Sequence, residues 1–373
     1  MPSEMPPFAP AVSSAADQMV SAHPIIAVRT AGGTQLYQFP ASDQITTMWT
    51  RESHEVSRCE LAIPTPLDNI PDLVPWLHWV DVWDDTGSQL YWSGPIQQAT
   101  IARTQTSISA RDMASLFTRT RCPMTKKWDI TDPAFIAQEF IEAMVTLHGL
   151  NVQTQAYADP LGDQYDYSST KDAVMLSSTI DDLVNLGLHW TVVSGIPLLG
   201  PMPRKPIASF NENDFVGDAL TIVRDGTASF NDVVVRVKDA ISQAIVPMGG
   251  LQLQTIVNVD SVSSVSNADR AAKQYVRYTG SIKDAVTMPN GAVLHPSAPV
   301  DISQLIPSTR YVIEAFGVLA NVELTRVEVN HSVDAATVNV TMVAVDDELP
   351  ELITLQQQKK PSTTNLTAGL GSS

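Results

Sequence analysis

Residues 323–347 read ELTRVEVNHSVDAATVNVTMVAVDD. Leu324, Val327 and Val329 alternate with Thr325, Glu328 and Asn330, and Val338, Val340 and Met342 keep the same two-residue period on the return. That period lines one face of an extended segment with apolar side chains, so the stretch predicts a β-hairpin. Upstream, ALTIVRDGTASFNDVVVRVKD (219–239) predicts a strand, an RDG turn and a second strand. A short helix is expected at Asn267–Arg277, with Asn267 or Ser266 as its cap.

The N-terminal third has the same character. IIAVRT (25–30), TQLYQF (34–39), EVSRCELAI (55–63), HWVDVWDD (78–85), QLYWSGPIQQATIAR (89–103) and TSISARD (106–112) follow one another with turn residues between. AGG (31–33) and DDTG (84–87) supply the positive φ that tight hairpins need. Six strands at this spacing predict a sandwich or barrel. Between the two β portions, a helix is expected over Asp129–Leu147, capped by Asp129 or Thr131 and buried through Phe135, Ile136, Phe140, Met144, Val145 and Leu147. A second is expected over Thr170–Leu186, closed by Gly187, with Met175, Ile180, Leu183 and Leu186 inward. The strand pair HWTVVSG and IPLLGP (189–201) follows.

The expected class is therefore mainly β (α+β). It divides into an arm at 1–22, a first β domain at 23–125, a helical or mixed insertion at 126–205, a second β domain at 206–350 and a polar tail at 351–373. No internal repeat is evident.

Composition narrows the function. Of 373 residues 44% are hydrophobic and only 17% charged, against about 25% charged in an ordinary soluble domain. So few charges favour a surface partly covered by neighbours. The net charge of −17 and the scatter of basic residues argue against nucleic-acid recognition, which needs clustered Lys and Arg. The densest basic patches are Arg119, Arg121, Lys126 and Lys127, then Lys359 and Lys360. An acidic chain can still surround DNA without holding it. No secretory leader is visible, and the most apolar stretch, 190–202, is broken by Gly195, Pro197, Gly200 and Pro201, so no membrane segment is expected.

Chemistry-bearing motifs are sparse. Glycine-rich phosphate loops, zinc-protease motifs and nucleophile elbows are missing from the sequence. The seven histidines show no i, i+3 or i, i+4 pair, so no catalytic, cofactor or metal residue is nominated. Asp84–Asp85 falls in a turn and Asp181–Asp182 on a helix, positions that favour turn geometry and solvation over acid–base work. Asp346–Asp347 is a third such pair. The sequons at Asn330, Asn339 and Asn365 carry no weight without secretion. A disulfide between Cys59 and Cys122 stays open, two buried thiols being the simpler reading. Trp76, Trp79, Trp83 and Trp92 are the one cluster that fits a glycan or partner contact, against the plainer role of core filling.

The order of several phrases carries a resemblance. They are ELAIPTPLDNIPDLVPWLHWVDVWDD (60–85), QLYWSGPIQQATI (89–101) with its G-x-I turn, HGLNV (148–152), LGLHWTV (186–192), IVRDGTASFNDVVVRV (222–237), DISQLIPSTRYVI (301–313) and the closing strand pair at 324–345. In this order the chain resembles siphophage minor tail proteins of the tail-tip or baseplate hub, a group related to the hub of contractile-tailed phages. The resemblance spans most of 23–349 and neither terminus. It implies a homotrimer, each subunit giving two tube-like β domains to a pseudo-sixfold ring. The ring would sit at the virion's tail tip and join the tail tube or distal tail protein to other tip proteins. It would also anchor the tape-measure protein and line the DNA-ejection channel without binding DNA specifically. No enzymatic activity, metal or cofactor comes with the resemblance. The alternatives are a receptor- or carbohydrate-binding tip protein using Trp76–Trp92, and a cell-wall hydrolase, for which no carboxylate pair stands out.

Overall fold

The alternation that begins at Glu323 becomes, among the described residues, the strand pair Val318–His331 and Ala336–Ala344. The computed structural model describes residues 19–21, 23–39, 44–64, 72–159, 164–200, 205–227, 229–237, 240–259, 268–269, 272–273, 275–276, 279–280, 283–332 and 335–345. Most of the expected arm (1–22) and all of the tail (351–373) lie outside them.

The strands of the first β portion are β1 (Ile25–Thr30), β2 (Gln35–Phe39), β3 (Thr46–Glu52), β4 (Arg58–Ile63), β5 (His78–Trp83), β6 (Leu90–Ile101) and β7 (Thr106–Arg111). A 3-10 helix, Met113–Arg119, follows, then β8 (Lys126–Thr131), α1 (Pro133–His148), β9 (Gln155–Ala156), β10 (Tyr165–Ser169), α2 (Leu176–Asn185), β11 (Trp190–Val193) and β12 (Ile196–Leu199). The last part holds β13 (Ser209–Asn211), β14 (Thr221–Asp225), β15 (Asp232–Val237), β16 (Ala240–Ile245), β17 (Gln254–Val259), β18 (Lys283–Thr287), β19 (Ala292–Val293), β20 (Arg310–Ala315), β21 (Val318–His331) and β22 (Ala336–Ala344).

The chain divides into two compact units, Met1–Thr221 with Met288–Ala344, and Ile222–Thr287 with Val345–Ser373. In the first, one sheet runs β13-β20-β21-β3-β4-β7-β6-β5-β1-β2, with β22 beside β21 and β19 beside β22. The sheet is open, which corrects the expected barrels. Its two β portions are joined by β3, a strand that the sequence reading passed over. β3 pairs with β4 on one side and with β21 on the other, from Arg326↔Glu52 to His331↔Thr47. The hairpin itself forms in the expected register, with Val327 opposite Val340 and Val329 opposite Val338.

The helical part packs on its own core of Phe140, Ile141, Met144, Leu176, Ile180, Leu183 and Trp190, with Trp79 of β5 included. α1 begins later than expected. Residues 126–131 form a strand paired with β10, and Asp132, not Asp129 or Thr131, caps the helix by accepting from the Ala134 N–H. Gly149, at φ 62, ends it. Ile136, Phe140 and Met144 are buried as expected, whereas Phe135 and Leu147 are exposed. α2 is shorter than expected because the turn before it is tied elsewhere. Cys122 N–H donates to Val174 O and Leu176 N–H to Thr120 O, so residues 170–175 cannot join the helix.

In the second unit, β15 is the central strand of a sheet ordered β16-β15-β17, antiparallel to β16 and parallel to β17. β14 pairs with β18 instead of with β15, so the two strands expected around the RDG turn both form without pairing each other. The described residues 268–269, 272–273, 275–276 and 279 are helical, in line with the expected short helix. Val233, Val235 and Val257 pack against Ala268, Ala272, Tyr275 and Val276.

Candidate functional site

The tryptophan cluster is mostly interior. Trp79 faces the helical core at 1% exposure and Trp92 is buried as well. Trp79 stands opposite Pro95 and Trp92 opposite Val82, so the two side chains leave the β5–β6 ribbon on different faces. Trp83 and Trp76 are half-buried. The Trp76 backbone is held at φ 68, and the Arg119 guanidinium lies 5.7 Å from its ring centre. Over Trp79 sits the Arg29 guanidinium, 4.7 Å away. Arg29 Nε donates to Asp81 Oδ2 at 2.9 Å, Arg29 Nη2 to Ser93 Oγ at 3.0 Å, and Ser93 Oγ to Asp81 Oδ1 at 2.5 Å. A buried charge with its donors supplied from two neighbouring strands is a means of fixing register. The four tryptophans therefore do not form one flat strip.

The carboxylate pairs take the roles that their positions predict. Asp84 organises its turn, accepting from Thr86 Oγ1, Ser88 N and Oγ, and Gln89 N. Burial alone would raise its carboxyl, but the bonds from Thr86, Gln89 and Ser88 outweigh that and hold it below the ordinary range. Asp85 is exposed and accepts from Ser21 Oγ. Asp181 and Asp182 lie on the solvent face of α2, and Asp346–Asp347 lies outside the described residues. Cys59 and Cys122 are both buried free thiols. Among the described residues, no group of three or more His, Cys, Asp and Glu side chains is placed to hold a metal. Also among them, no helix is long and apolar enough to cross a membrane.

Three features escape the sequence reading. Arg51 of β3 is fully buried, with Nη1 donating to Ile302 O at 2.7 Å and Leu305 O at 3.2 Å, and Nη2 to Tyr91 O at 3.1 Å. Burial lowers its guanidinium to about 10, so it stays charged at neutral pH and staples the 301–305 loop and β6 to β3. Asp112 caps the 3-10 helix through the Ala114 N–H and also accepts from the Ser57 N–H, and its burial pushes the carboxyl up to about 7. The rings of His54 and His189, 135 residues apart in the chain, lie 5.1 Å apart centre to centre and are tilted by 42°. Burial, then the neighbouring His189, lowers His54 to about 4. None of the three has a local sequence signal, because each depends on groups brought from distant parts of the chain.

The surface also carries aliphatic and aromatic side chains with no covering layer among the described residues. At the β20–β21 turn, Phe316 (φ 51) and Gly317 (φ 78) lift Phe316 and Leu319 outward, at 65% and 69% exposure. In the second unit, Ile241, Ile245 and Ile256 stand on one sheet face and are exposed. Isolated exposed apolar groups are ordinary. Here they gather at a hairpin tip and on one face of a small sheet.

No protein-family model and no curated protein matches the chain. Among solved structures, a tail protein from Neisseria meningitidis aligns over 87% of this chain and 98% of its own, at TM-score 0.49 and 14% identity. The chain is similar to phage tail proteins. The 43 kDa tail protein of prophage MuSo2 from Shewanella oneidensis aligns over 86% and 98% at TM-score 0.48 and 12% identity. Prophage tail protein gp18 from Listeria monocytogenes aligns over 90% and 98% at TM-score 0.46 and 12% identity. These scores describe a likeness of outline, and no residue's role is taken from them.

Proposed function

We propose that this chain is a structural hub protein at the tail tip, or baseplate, of a long-tailed phage. In this reading three copies form a ring that joins the tail tube or distal tail ring to the tip proteins. The ring receives the end of the tape-measure protein and lets DNA pass through its centre. The order of the phrases between residues 60 and 345 supports the family. The observation that carries the mechanical role is the β3–β21 junction, Thr47↔His331 to Glu52↔Arg326.

That junction turns two β portions from opposite ends of the chain into one hydrogen-bonded body. Trp49 Nε1 donates to His331 Nε2 across it, and Trp49 stacks on Tyr91. A ring wall under load needs its halves joined by a sheet rather than a linker, because relative motion is the default for domains with small interfaces. Charge supports the same reading. Outside residues 222–287, the other 307 residues carry a net −18, a sign that repels a passing polyanion. Exposed apolar groups such as Phe316 and Leu319 would be covered by neighbouring subunits.

The test is the mass of the purified full chain in solution, with negative-stain images of the same fraction. Three copies of the 40.4 kDa chain, seen as a ring with a central hole, is the expected result. A compact monomer at all concentrations would overturn the self-assembling ring.

A further inference from the structure

The segment 222–287 carries a different charge from the rest of the chain. Residues 222–287 hold seven of the 23 basic residues and six of the 40 acidic ones, a net of +1 within a chain of −17. Its sheet ends in β16, AISQAI, which pairs only with β15 among the described residues. In an antiparallel pair every second residue of an edge strand aims its N–H and C=O away from its partner. Such edges are normally blunted by Lys, Pro or a bulge. β16 has none of these, and its register with β15 is unbroken from Asp232↔Ile245 to Val237↔Ala240.

Along this edge runs a groove of about 520 Å³, within the ordinary size of ligand pockets. One wall is residues 243–246, and the other is Lys273, Val276 and Gly280 of the helical segment. Gly280 keeps the second wall low, since a Cβ there would lie 2.4 Å from Val276 O. Lys273 stands at the mouth, exposed and 2.8 Å from Asp269. Ile241 and Ile245, at 66% and 53% exposure, stand on the strand face opposite Ala244 and Val246, and Ile245 also borders the groove.

We propose that this groove binds an extended segment of another polypeptide by strand addition to β16, the segment carrying alternate aliphatic side chains and at least one carboxylate. The main chain of the segment pairs with the open edge. One set of its side chains enters the groove against Ala244, Val246 and Val276, and the other lies beside Ile241 and Ile245. The carboxylate meets Lys273. An acidic strand is favoured at residues 222–287, net +1, over the other 307 residues, net −18. The inference stands whether or not the full chain forms a ring.

The probe is a displayed library of random ten-residue peptides, selected on the full-length protein. The expected result is enrichment of peptides that alternate Val, Ile or Leu with polar residues and contain Asp or Glu. Lys273→Glu should weaken a selected peptide by about fivefold, the scale of an exposed charge pair reversed. Ile245→Lys should weaken it by about tenfold through loss of aliphatic contact and a guarded edge. Both positions are exposed, so far-UV circular dichroism should match the wild type. Bound peptide should also slow amide exchange at 241–245. A selection without the alternating acidic pattern, or binding indifferent to both substitutions, overturns the proposal. So does an edge already protected from exchange by a second copy of the chain.

Discussion

Replacing Gly94 by alanine tests how tightly β6 is bound to the end of β7. Gly94 lies opposite Val80, and its φ is unremarkable, so the demand for glycine there is spatial. A Cβ at this position would lie 2.0 Å from Arg111 O, 2.7 Å from Arg111 C and 2.8 Å from Asp112 Cα. All three atoms are main chain, so no side chain can swing away. Ordinary contact begins at 3.4 Å, and relief therefore needs a shift of about 1.4 Å at Arg111–Asp112. That shift strains three bonds: Asp112 N to Ser57 O at 3.0 Å, Ser57 N to Asp112 Oδ2 at 2.8 Å, and Ala114 N to Asp112 Oδ1 at 2.9 Å. Overpacking costs about 1–3 kcal/mol and each weakened bond about 1 kcal/mol. The loss of unfolded-chain entropy on Gly→Ala returns less than about 1 kcal/mol. The expected net loss is about 4 kcal/mol, read from urea unfolding of the full chain by tryptophan fluorescence. Gly149→Ala is the control. Gly149 has φ 62 with open space around its Cβ position, so only the left-handed backbone is strained, at about 1 kcal/mol. If Gly94→Ala costs no more than Gly149→Ala, the close approach does not constrain the fold and this account of Gly94, which lies within β6 and not in the expected G-x-I turn, is wrong.

Two further outcomes follow from buried charge. Arg51→Met keeps the aliphatic volume but leaves Ile302 O, Leu305 O and Tyr91 O without their shared donor, an expected loss of about 2–4 kcal/mol. Amide exchange should quicken at 302–309, and unchanged exchange there would refute the staple. For Asp112, the folded carboxyl titrates near 7 against an ordinary 3.8, so the native state holds the proton more tightly than the unfolded one. Its contribution is full below about pH 4 and is lost as pH rises through 7, by at most about 4 kcal/mol. Asp112→Asn should flatten stability between pH 4 and 7 while lowering it by about 1–3 kcal/mol, because one of two N–H donors loses its acceptor. An unaltered pH profile in urea unfolding would show that Asp112 does not carry the slope.

What the sequence made legible was what period and turn chemistry encode. The hairpin at β21–β22 is legible because Val327, Val329, Val338 and Val340 keep a two-residue period into one core, the register shift between Leu324 and Arg326 lying before them. β3 could not, because its inward positions include Thr47 and Arg51 beside Trp49, and Arg51 reads as a solvent residue until the carbonyls of Ile302, Leu305 and Tyr91 are brought around it. Missing β3 meant missing the joint between the β portions. The start of α1 was misplaced for a related reason. Asp129, Thr131 and Asp132 are all competent caps, and only the pairing of β8 with β10 decides among them. The His54–His189 contact rests on a separation of 135 residues, where no local pattern exists.

The same limit governs the candidate surfaces. Val233 and Val235 on β15 and Ile241 and Ile245 on β16 each fall on a two-residue period, yet the first pair is buried under the helical segment and the second is exposed. Periodicity finds the two faces of a strand, but the face that becomes an interface depends on which side the helix covers and which strand is left at the edge. In the proposed strand addition the binding chemistry is an unpaired backbone edge and a few aliphatic side chains, none of them a motif. Charge is the exception, because it survives as a count along the chain. The swing from −18 over most of the protein to +1 over residues 222–287 is visible before any fold is known. It separates a portion suited to repelling DNA from one suited to receiving an acidic strand.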